Sequence, residues 1–159
     1  MSVVVSDTSP LHYLILCSVD AVLPRLFERV IIPPTVFVEL QHPNTPALVQ
    51  QWMKSLPAWI AVQKPTSLDL SLKVDAGELE AICLAREIHA AAILIDDRAG
   101  RSAAAQYGLP VIGTLGLLES AAMRGWIDLP QVLDRLQQTN TRLDPKLVAA
   151  ALERHKGRS

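Results

Sequence analysis

The chain has 159 residues, of which 50% are hydrophobic and 19% are charged, and its net charge is −1. This length and composition suit one globular domain with a core of its own, and they exclude a disordered or purely solvating protein. With no run of 18 apolar residues and no basic, apolar leader in the sequence, we expect no membrane span and a cytoplasmic protein.

Five short apolar runs predict β-strands, and helical patterns separate them. The predicted strands are Val3–Ser6, Arg29–Ile32, Trp59–Val62, Ala91–Ile95 and Pro110–Ile112. This alternation predicts an α/β fold, with helices covering both faces of a mostly parallel sheet. Two further helical patterns, Leu129–Gln138 and Pro145–Lys156, have no strand between or after them. We therefore predict a single domain over residues 1–159, in which residues 128–159 are a helical C-terminal extension.

Residues at the predicted helix ends support these boundaries. Thr45 and Asp144 each precede a proline, which predicts an N-cap followed by proline at the first helical position. Asp75 is placed to cap the helix that runs to about residue 89. Gly108 and Gly125 are predicted to end two later helices.

Charge is distributed unevenly along the chain. Residues 1–97 hold 6 Lys and Arg against 11 Asp and Glu, a net charge of −5, whereas residues 98–159 hold 9 against 5, a net charge of +4. The acidic part contains every carboxylate considered below. The basic part suits a polyanion such as nucleic acid, although +4 is a modest charge.

Three acidic residues follow predicted strands directly. Asp7 comes after the first strand, and Asp96 and Asp97 come at the end of the fourth. In an open parallel sheet, ligands bind beyond the carboxyl ends of the strands, where the winding direction reverses. If the first and fourth strands are neighbours, these three carboxylates share one crevice.

Two glutamates are predicted to join the same crevice. The helix from Glu78 to residue 89 and the strand that returns to Asp96 are each about 16 Å long, which places Glu78 beside Asp96. Glu78 also shares a helix face with Ala81, Ile82 and Ala85, so its side chain should point toward the sheet. Glu39 lies in a predicted helix that leaves the second strand, and its placement requires that strand to lie next to the first.

Crowded carboxylates raise one another's pKa, and burial adds to the cost of ionising them. A divalent cation is the usual compensation. The four His residues have no metal-ligand spacing with each other or with either Cys, so an all-oxygen set favours Mg²⁺ or Mn²⁺ over Zn²⁺. Such an ion can activate water for hydrolysis of a phosphodiester.

Simpler structural roles remain open for the same residues. Asp7 and Asp97 could each be an ordinary helix N-cap, and Glu80 is expected to be a solvated helix residue. Arg98 and Arg101, at the start of the next helix, could bind a substrate phosphate or could neutralise the neighbouring acids.

Five segments of the chain, in order, resemble the PIN domain, and in particular its compact prokaryotic branch related to toxin nucleases. They lie within residues 3 to 118 and read Val5-Ser6-Asp7-Thr8-Ser9-Pro10-Leu11, Ile32-Pro33-Pro34-Thr35-Val36-Phe37-Val38-Glu39-Leu40, Asp75-Ala76-Gly77-Glu78-Leu79-Glu80-Ala81-Ile82-Cys83-Leu84-Ala85, Ile93-Leu94-Ile95-Asp96-Asp97-Arg98-Ala99-Gly100-Arg101 and Gly108-Leu109-Pro110-Val111-Ile112-Gly113-Thr114-Leu115-Gly116-Leu117-Leu118.

The resemblance implies a three-layer α/β/α sandwich and Mg²⁺- or Mn²⁺-dependent cleavage of RNA. It also implies frequent homodimers and, for toxin members, an antitoxin protein that blocks the site. By matching position, Asp7 would be a metal ligand with Ser9 or Thr8 hydrogen-bonded near it, and Glu39 and Glu78 would be the second and third acids. The last acid would be Asp97 by the family's Thr-x-Asp motif, in which Ile95 here replaces the threonine, or Asp96 by strand geometry.

The function predicted from the sequence is therefore that of a metal-dependent endoribonuclease, the toxin of a toxin–antitoxin pair. The alternative is a PIN-like domain with weak or no catalysis that binds nucleic acid or a protein partner. A phosphoacceptor signalling domain fits least, because that design needs an acid pair after the first strand and a lysine after the fifth, and this chain has neither.

Overall fold

The computed structural model describes residues 2–139, 141 and 143–158. Its strands are β1 Val3–Ser6, β2 Arg29–Ile32, β3 Ile60–Val62, β4 Ala92–Leu94 and β5 Val111–Ile112. Its helices are α1 Thr8–Leu16, α2 Val22–Leu26, α3 Pro34–Glu39, α4 Ala47–Met53, α5 Ala76–Glu87, α6 Arg98–Gln106, α7 Thr114–Met123, α8 Leu129–Gln137 and α9 Pro145–Arg158. Each predicted strand is present, but β3 and β5 begin one residue later than predicted and β4 is shorter by one residue at each end.

All strand pairs of the sheet are parallel, in the order β3-β2-β1-β4-β5. The chain winds from β1 outward to β2 and β3, and then returns to the other side of β1 for β4 and β5. The winding direction therefore reverses between β1 and β4, where Val5 pairs with Ile93. Both neighbour relations that the predicted crevice requires, β1 with β4 and β1 with β2, are confirmed.

Helices cover both faces of this sheet, as predicted. Alternate strand residues point to opposite faces, because successive side chains of a strand alternate. Val4, Val30 and Leu94 belong to one core cluster, to which helices α1, α2, α3, α4, α7, α8 and α9 contribute buried side chains. Val5 and Ile93 belong to a second cluster, formed with α5 and α6. The fold is thus the three-layer α/β/α sandwich with C-terminal helices that the sequence predicted.

Most of the predicted helix ends are confirmed. Asp75 accepts a hydrogen bond from the backbone N–H of Glu78, and Gly108 and Gly125 both have φ of +74° after the helices that they end. The predicted cap at Thr45 is wrong by one residue, because α4 begins at Ala47 with a proline in the N-cap position. The Thr45 hydroxyl instead donates to the backbone carbonyl of Glu39, the last residue of α3, at 3.4 Å.

The two C-terminal helices add to the first core cluster. Leu133 and Leu136 of α8 and Val148 and Ala151 of α9 are buried there together with Leu117 of α7. Both cysteines of the chain are buried free thiols, as expected from their apolar surroundings.

Candidate active site

A cavity of about 1020 Å³ lies at the carboxyl ends of β1 and β4. Its lining includes every residue that the sequence nominated for the site: Asp7, Thr8, Ser9, Glu39, Glu78, Asp96, Asp97, Arg98 and Arg101. The structure therefore brings together side chains that are up to 94 positions apart in the sequence.

Asp7 occupies the N-cap position of α1 without acting as a cap. Its backbone is extended, with φ of −76° and ψ of 178°, and its N–H donates to the carbonyl of Leu94 at 2.8 Å. The carboxylate makes no capping hydrogen bond, although Asp7 is only 6% exposed. Burial is the largest cause of a pKa raised to about 7 for Asp7; the backbone of Thr8 lowers the pKa, and three nearby carboxylates raise it.

Glu78 is the second buried acid of the cavity, and it is also 6% exposed. Its helix face is buried as predicted, together with Ala81, Ile82 and Ala85. Burial is again the main cause of a pKa raised to about 8, and the negative charges of Asp75, Asp97 and Asp7 add to it. Two acids that are costly to ionise thus share one cavity.

Asp75 belongs to the same group of acids, which the sequence analysis did not recognise. It lines the cavity as well as capping α5, where its Oδ1 accepts from the N–H of Glu78 at 2.8 Å. A sequence signal was available: Asp75 and Glu78 stand three residues apart at a helix start, which is the spacing of a capping box. In that arrangement the side chain of the third helical residue turns back toward the cap.

Glu39 lies at the rim of the cavity and is exposed. Its Oε2 accepts a hydrogen bond from the hydroxyl of Thr8. Thr8, which was expected to hydrogen-bond near Asp7, therefore binds Glu39. Its carboxylate also lies over the first turn of α5, where a Cβ atom on Gly77 would be 2.8 Å from Oε1 of Glu39. The glycine allows this close approach.

A contact between α3 and α5 corrects the expectation for Glu80. Both of its carboxylate oxygens accept hydrogen bonds from Thr35, one from the backbone N–H at 3.2 Å and one from the hydroxyl. Glu80 is therefore not a solvated residue. It ties the start of the short helix that carries Glu39 to the helix that carries Glu78.

The two neighbouring aspartates after β4 differ in their contacts. Asp96 accepts from the backbone N–H and from the hydroxyl of Thr114, both at 2.7 Å, and so fastens the start of α7. Burial raises the pKa of Asp96, while the bonds from Thr114 and the charge of Arg101 lower it. Asp97 caps α6 by accepting from the N–H of Gly100 at 3.2 Å through Oδ2. Asp97 is therefore a helix N-cap, the simpler role considered for it, and its Oδ1 takes no part in that capping hydrogen bond.

Arg98 and Arg101 line the cavity from the first turn of α6. In the part of the chain that the structure describes, ion pairs within 4.0 Å involve Arg154, Lys156 and Arg158 and neither of these two arginines. Arg101 lies near Gly113, on which a Cβ would be 2.6 Å from Nη1 of the arginine. Both arginines therefore share the cavity with the acids, and neither forms a direct ion pair with an acid of the described residues.

The donor chemistry of the cavity fits a hard divalent cation. Seven carboxylates line it, and no His or Cys does. However, among residues 2–139, 141 and 143–158 no group of three or more His, Cys, Asp or Glu has the arrangement of a formed metal site. Thr8, Gly100 and Thr114 bind carboxylate oxygens of Glu39, Asp97 and Asp96, which directs those oxygens toward protein donors.

With this geometry established, comparison with known families gives one match. A family model described as a PIN domain matches residues 3–157 of the chain. The chain belongs to the PIN domain family. The match continues through α8 and α9, beyond the motifs that carried the resemblance in the sequence. No curated protein and no solved structure matches the chain.

PIN domains are generally nucleases, so the chain has a nuclease-type fold. The acids of this PIN domain surround the point where the winding of its sheet reverses, which is the usual ligand position in an open parallel sheet. None of the helices in the described part of the chain has both the length and the apolar character needed to cross a membrane.

Proposed function

We propose that this PIN domain is a metal-dependent endoribonuclease that hydrolyses phosphodiester bonds of RNA. The observation that supports this most is the shared burial of Asp7 and Glu78, whose pKa values are raised to about 7 and about 8. No ion pair of the described residues compensates these acids. A divalent cation would do so.

Asp7, Glu78, Asp97 and Asp96 are the residues proposed to hold Mg²⁺ or Mn²⁺. Of the two neighbouring aspartates, Asp97 is the better ligand, because both oxygens of Asp96 already accept hydrogen bonds from Thr114. The bound cation supplies a more acidic water and stabilises negative charge on the phosphate.

The remaining nominated residues would act on the substrate or on these ligands. Arg98 and Arg101 are proposed to orient a phosphate of the RNA, since planar guanidinium groups bind phosphate in a fixed geometry. Glu39 is proposed as the outer acid of the site, positioned by Thr8, and Ser9 also lines the cavity.

We further propose that the protein is the toxin of a toxin–antitoxin pair, that it forms a homodimer, and that an antitoxin protein covers the cavity. These proposals rest on the resemblance of its motifs to those of toxin nucleases. The two buried free thiols suit the reducing cytoplasm as its compartment. Induction of the wild-type chain should arrest growth of a bacterial host, whereas induction of Asp7→Asn should not.

The direct test is cleavage of single-stranded RNA by purified protein with Mn²⁺ or Mg²⁺, with and without EDTA. We expect cleavage only with metal, and a loss on the order of 100-fold or more in Asp7→Asn. Asp134→Asn is the matched control, because Asp134 is an exposed acid outside the cavity. Equal cleavage by Asp7→Asn and the wild type would show that the assigned site is wrong.

A second candidate function follows from the lack of a formed three-residue metal site among the described residues. The chain would then be a PIN domain that binds nucleic acid or a protein partner without efficient catalysis. Calorimetric titration with Mn²⁺ separates the two candidates. Saturable binding below millimolar Mn²⁺ favours the nuclease, and no heat at millimolar Mn²⁺ favours the binding domain.

A further inference from the structure

One exposed face of α6 extends the cavity away from the acids. Four residues on this face line the cavity, and their spacing of three, one and three positions places them on one side of the helix. They are Arg98, Arg101, Ser102 and Ala105. The distance from the first to the last along the helix axis is about 10 Å. The cavity is therefore a groove that continues well beyond the carboxylates.

Another wall of this groove comes from the C-terminal extension. Leu143, Asp144 and Leu147 line the cavity there, and Leu147 is 56% exposed to solvent. The carboxylate of Asp144 accepts from the backbone N–H of Lys146 at 2.8 Å, which turns it toward its own helix start. This wall therefore presents mainly apolar side chains to the groove.

A single exposed leucine is ordinary on a protein surface. Leu147 differs because it lines the same cavity as Asp7 and Glu78, the two buried acids. Along α6 the chemistry changes from carboxylates, through two guanidinium groups, to a hydroxyl and a methyl group, and the apolar side chains of Leu143 and Leu147, the leucine wall, line the same cavity. A nucleotide combines the same kinds of groups, since its charged phosphate is separated by the sugar from a base with an apolar face.

The leucine wall suits an unpaired base. In a duplex the faces of the bases are covered by their stacked neighbours, whereas an unstacked base can place its face on an apolar side chain. Phosphate groups on either side of that base would lie toward the guanidinium groups of Arg98 and Arg101.

We propose that Leu147, together with Leu143, is a specificity-determining wall that receives the unpaired base next to the phosphate being cut. This inference rests on the proposed ribonuclease function and adds the residues that would contact a base of its single-stranded RNA substrate. The C-terminal extension is thereby part of the substrate site.

The test compares two leucines that are changed in the same way. Leu147→Glu places a negative charge on the wall, and Leu48→Glu places the same charge on α4, at a leucine that is 49% exposed and does not line the cavity. Binding of a fluorescein-labelled single-stranded RNA is measured by anisotropy in EDTA, and KM and kcat are measured with Mn²⁺. Thermal unfolding checks that each variant is folded.

We expect Leu147→Glu to weaken RNA binding about tenfold or more, and Leu48→Glu to change it less than about twofold. Leu147→Ala should raise KM about threefold with little change in kcat, because it removes apolar contact and no charge. A duplex of the same sequence should bind the wild type more weakly than the single strand, and Leu147→Ala should reduce this preference.

Equal effects of Leu147→Glu and Leu48→Glu on RNA binding would contradict the proposal that Leu147 and Leu143 contact an unpaired base. Equal binding of duplex and single-stranded RNA by the wild type would contradict it as well. Wild-type protein that binds RNA but does not cut it overturns the nuclease proposal. The binding data still test whether Leu147 contacts an unpaired base. Wild-type protein that neither binds RNA in EDTA nor cuts it with Mn²⁺ overturns both. If Leu147→Glu does not fold, Leu147→Ala and Leu147→Gln decide the result by the same binding measurement.

Discussion

The carboxylate of Glu39 rests against the backbone of Gly77, so closely that a Cβ atom on Gly77 would lie 2.8 Å from Oε1 of Glu39. The two residues connect the last turn of α3 with the first turn of α5, beside the buried Glu78. A glycine at this position therefore decides where the outer acid of the cavity can lie.

Gly77→Ala should lower RNA cleavage about tenfold without unfolding the protein. The added methyl group meets the end of a flexible side chain, so Glu39 can move aside at little cost in stability, but it leaves its place near Thr8. Cleavage rate and Tm are measured together. Gly116→Ala is the control, because its Cβ would meet only Ile112 Cγ2 at an ordinary 3.5 Å. Full activity in Gly77→Ala would mean that the position of Glu39 does not matter.

The metal-free protein should lose stability as pH rises from about 5.5 to about 8.5. Burial raises the pKa of Asp7 from 3.8 to about 7 and that of Glu78 from 4.5 to about 8. In that window the folded chain holds more protons than the unfolded chain, so the free energy of unfolding falls with increasing pH. Thermal unfolding in EDTA measures the effect.

In the same experiment, Asp7→Asn should have a higher Tm than wild type at about pH 8.5, because it removes a buried charge. Asp134→Asn, an exposed acid outside the cavity, should keep the wild-type slope. A wild-type Tm that is constant across the window would contradict the raised pKa values.

Binding of Mn²⁺ should release protons at low pH and not at high pH. Below about pH 6.5 both Asp7 and Glu78 carry protons for much of the time, and a cation must displace them. Calorimetry in two buffers of different ionisation enthalpy gives the number released. We expect between one and two protons at about pH 6 and fewer than about 0.3 at about pH 9. A number that does not change with pH would place the cation away from these two acids.

Asp96→Ala should destabilise the protein through Thr114. That threonine is 1% exposed, and its N–H and hydroxyl both donate to Asp96 at 2.7 Å. Their loss should cost about 2–3 kcal/mol, or roughly 5–10 °C in Tm. Asp96→Asn keeps an acceptor oxygen and should lose less than half as much.

A double-mutant cycle with Thr114→Val checks the origin of that loss. If the two side chains stabilise the fold through one another, the combined variant should be little less stable than Asp96→Ala alone. Additive losses would show that Asp96 acts through other contacts.

The sequence determined the sheet and the convergence of its acids. Strand positions follow from short apolar runs between helical patterns, and a carboxylate directly after a parallel strand must lie at the same edge of the sheet as its neighbours. Predicting that Asp7, Asp96 and Asp97 share one crevice required only the order of the strands. Placing Glu78 beside Asp96 also required the lengths of a helix and of the strand that follows it to be equal, and these lengths are local properties of the sequence.

The side-chain contacts of the cavity were not determined in this way. Glu80 is solvated in an isolated helix, and only the docking of α3 against α5 brings it to Thr35, which is 45 residues away. Asp96 and Asp97 are adjacent and chemically identical, so the sequence left both open. The start of α7 takes the oxygens of one, and the start of α6 takes an oxygen of the other.

The leucine wall depended on the tertiary structure alone. An apolar stripe on α9 fits a core, a dimer or a covered site equally well, and its period is the same in each case. Packing of Val148 and Ala151 into the main core fixes the rotation of this helix, and that rotation leaves Leu147 in the lining of the cavity that also holds the acids. Periodicity records which residues share a helix face, whereas the partner of that face is set by the way distant elements fill the core together.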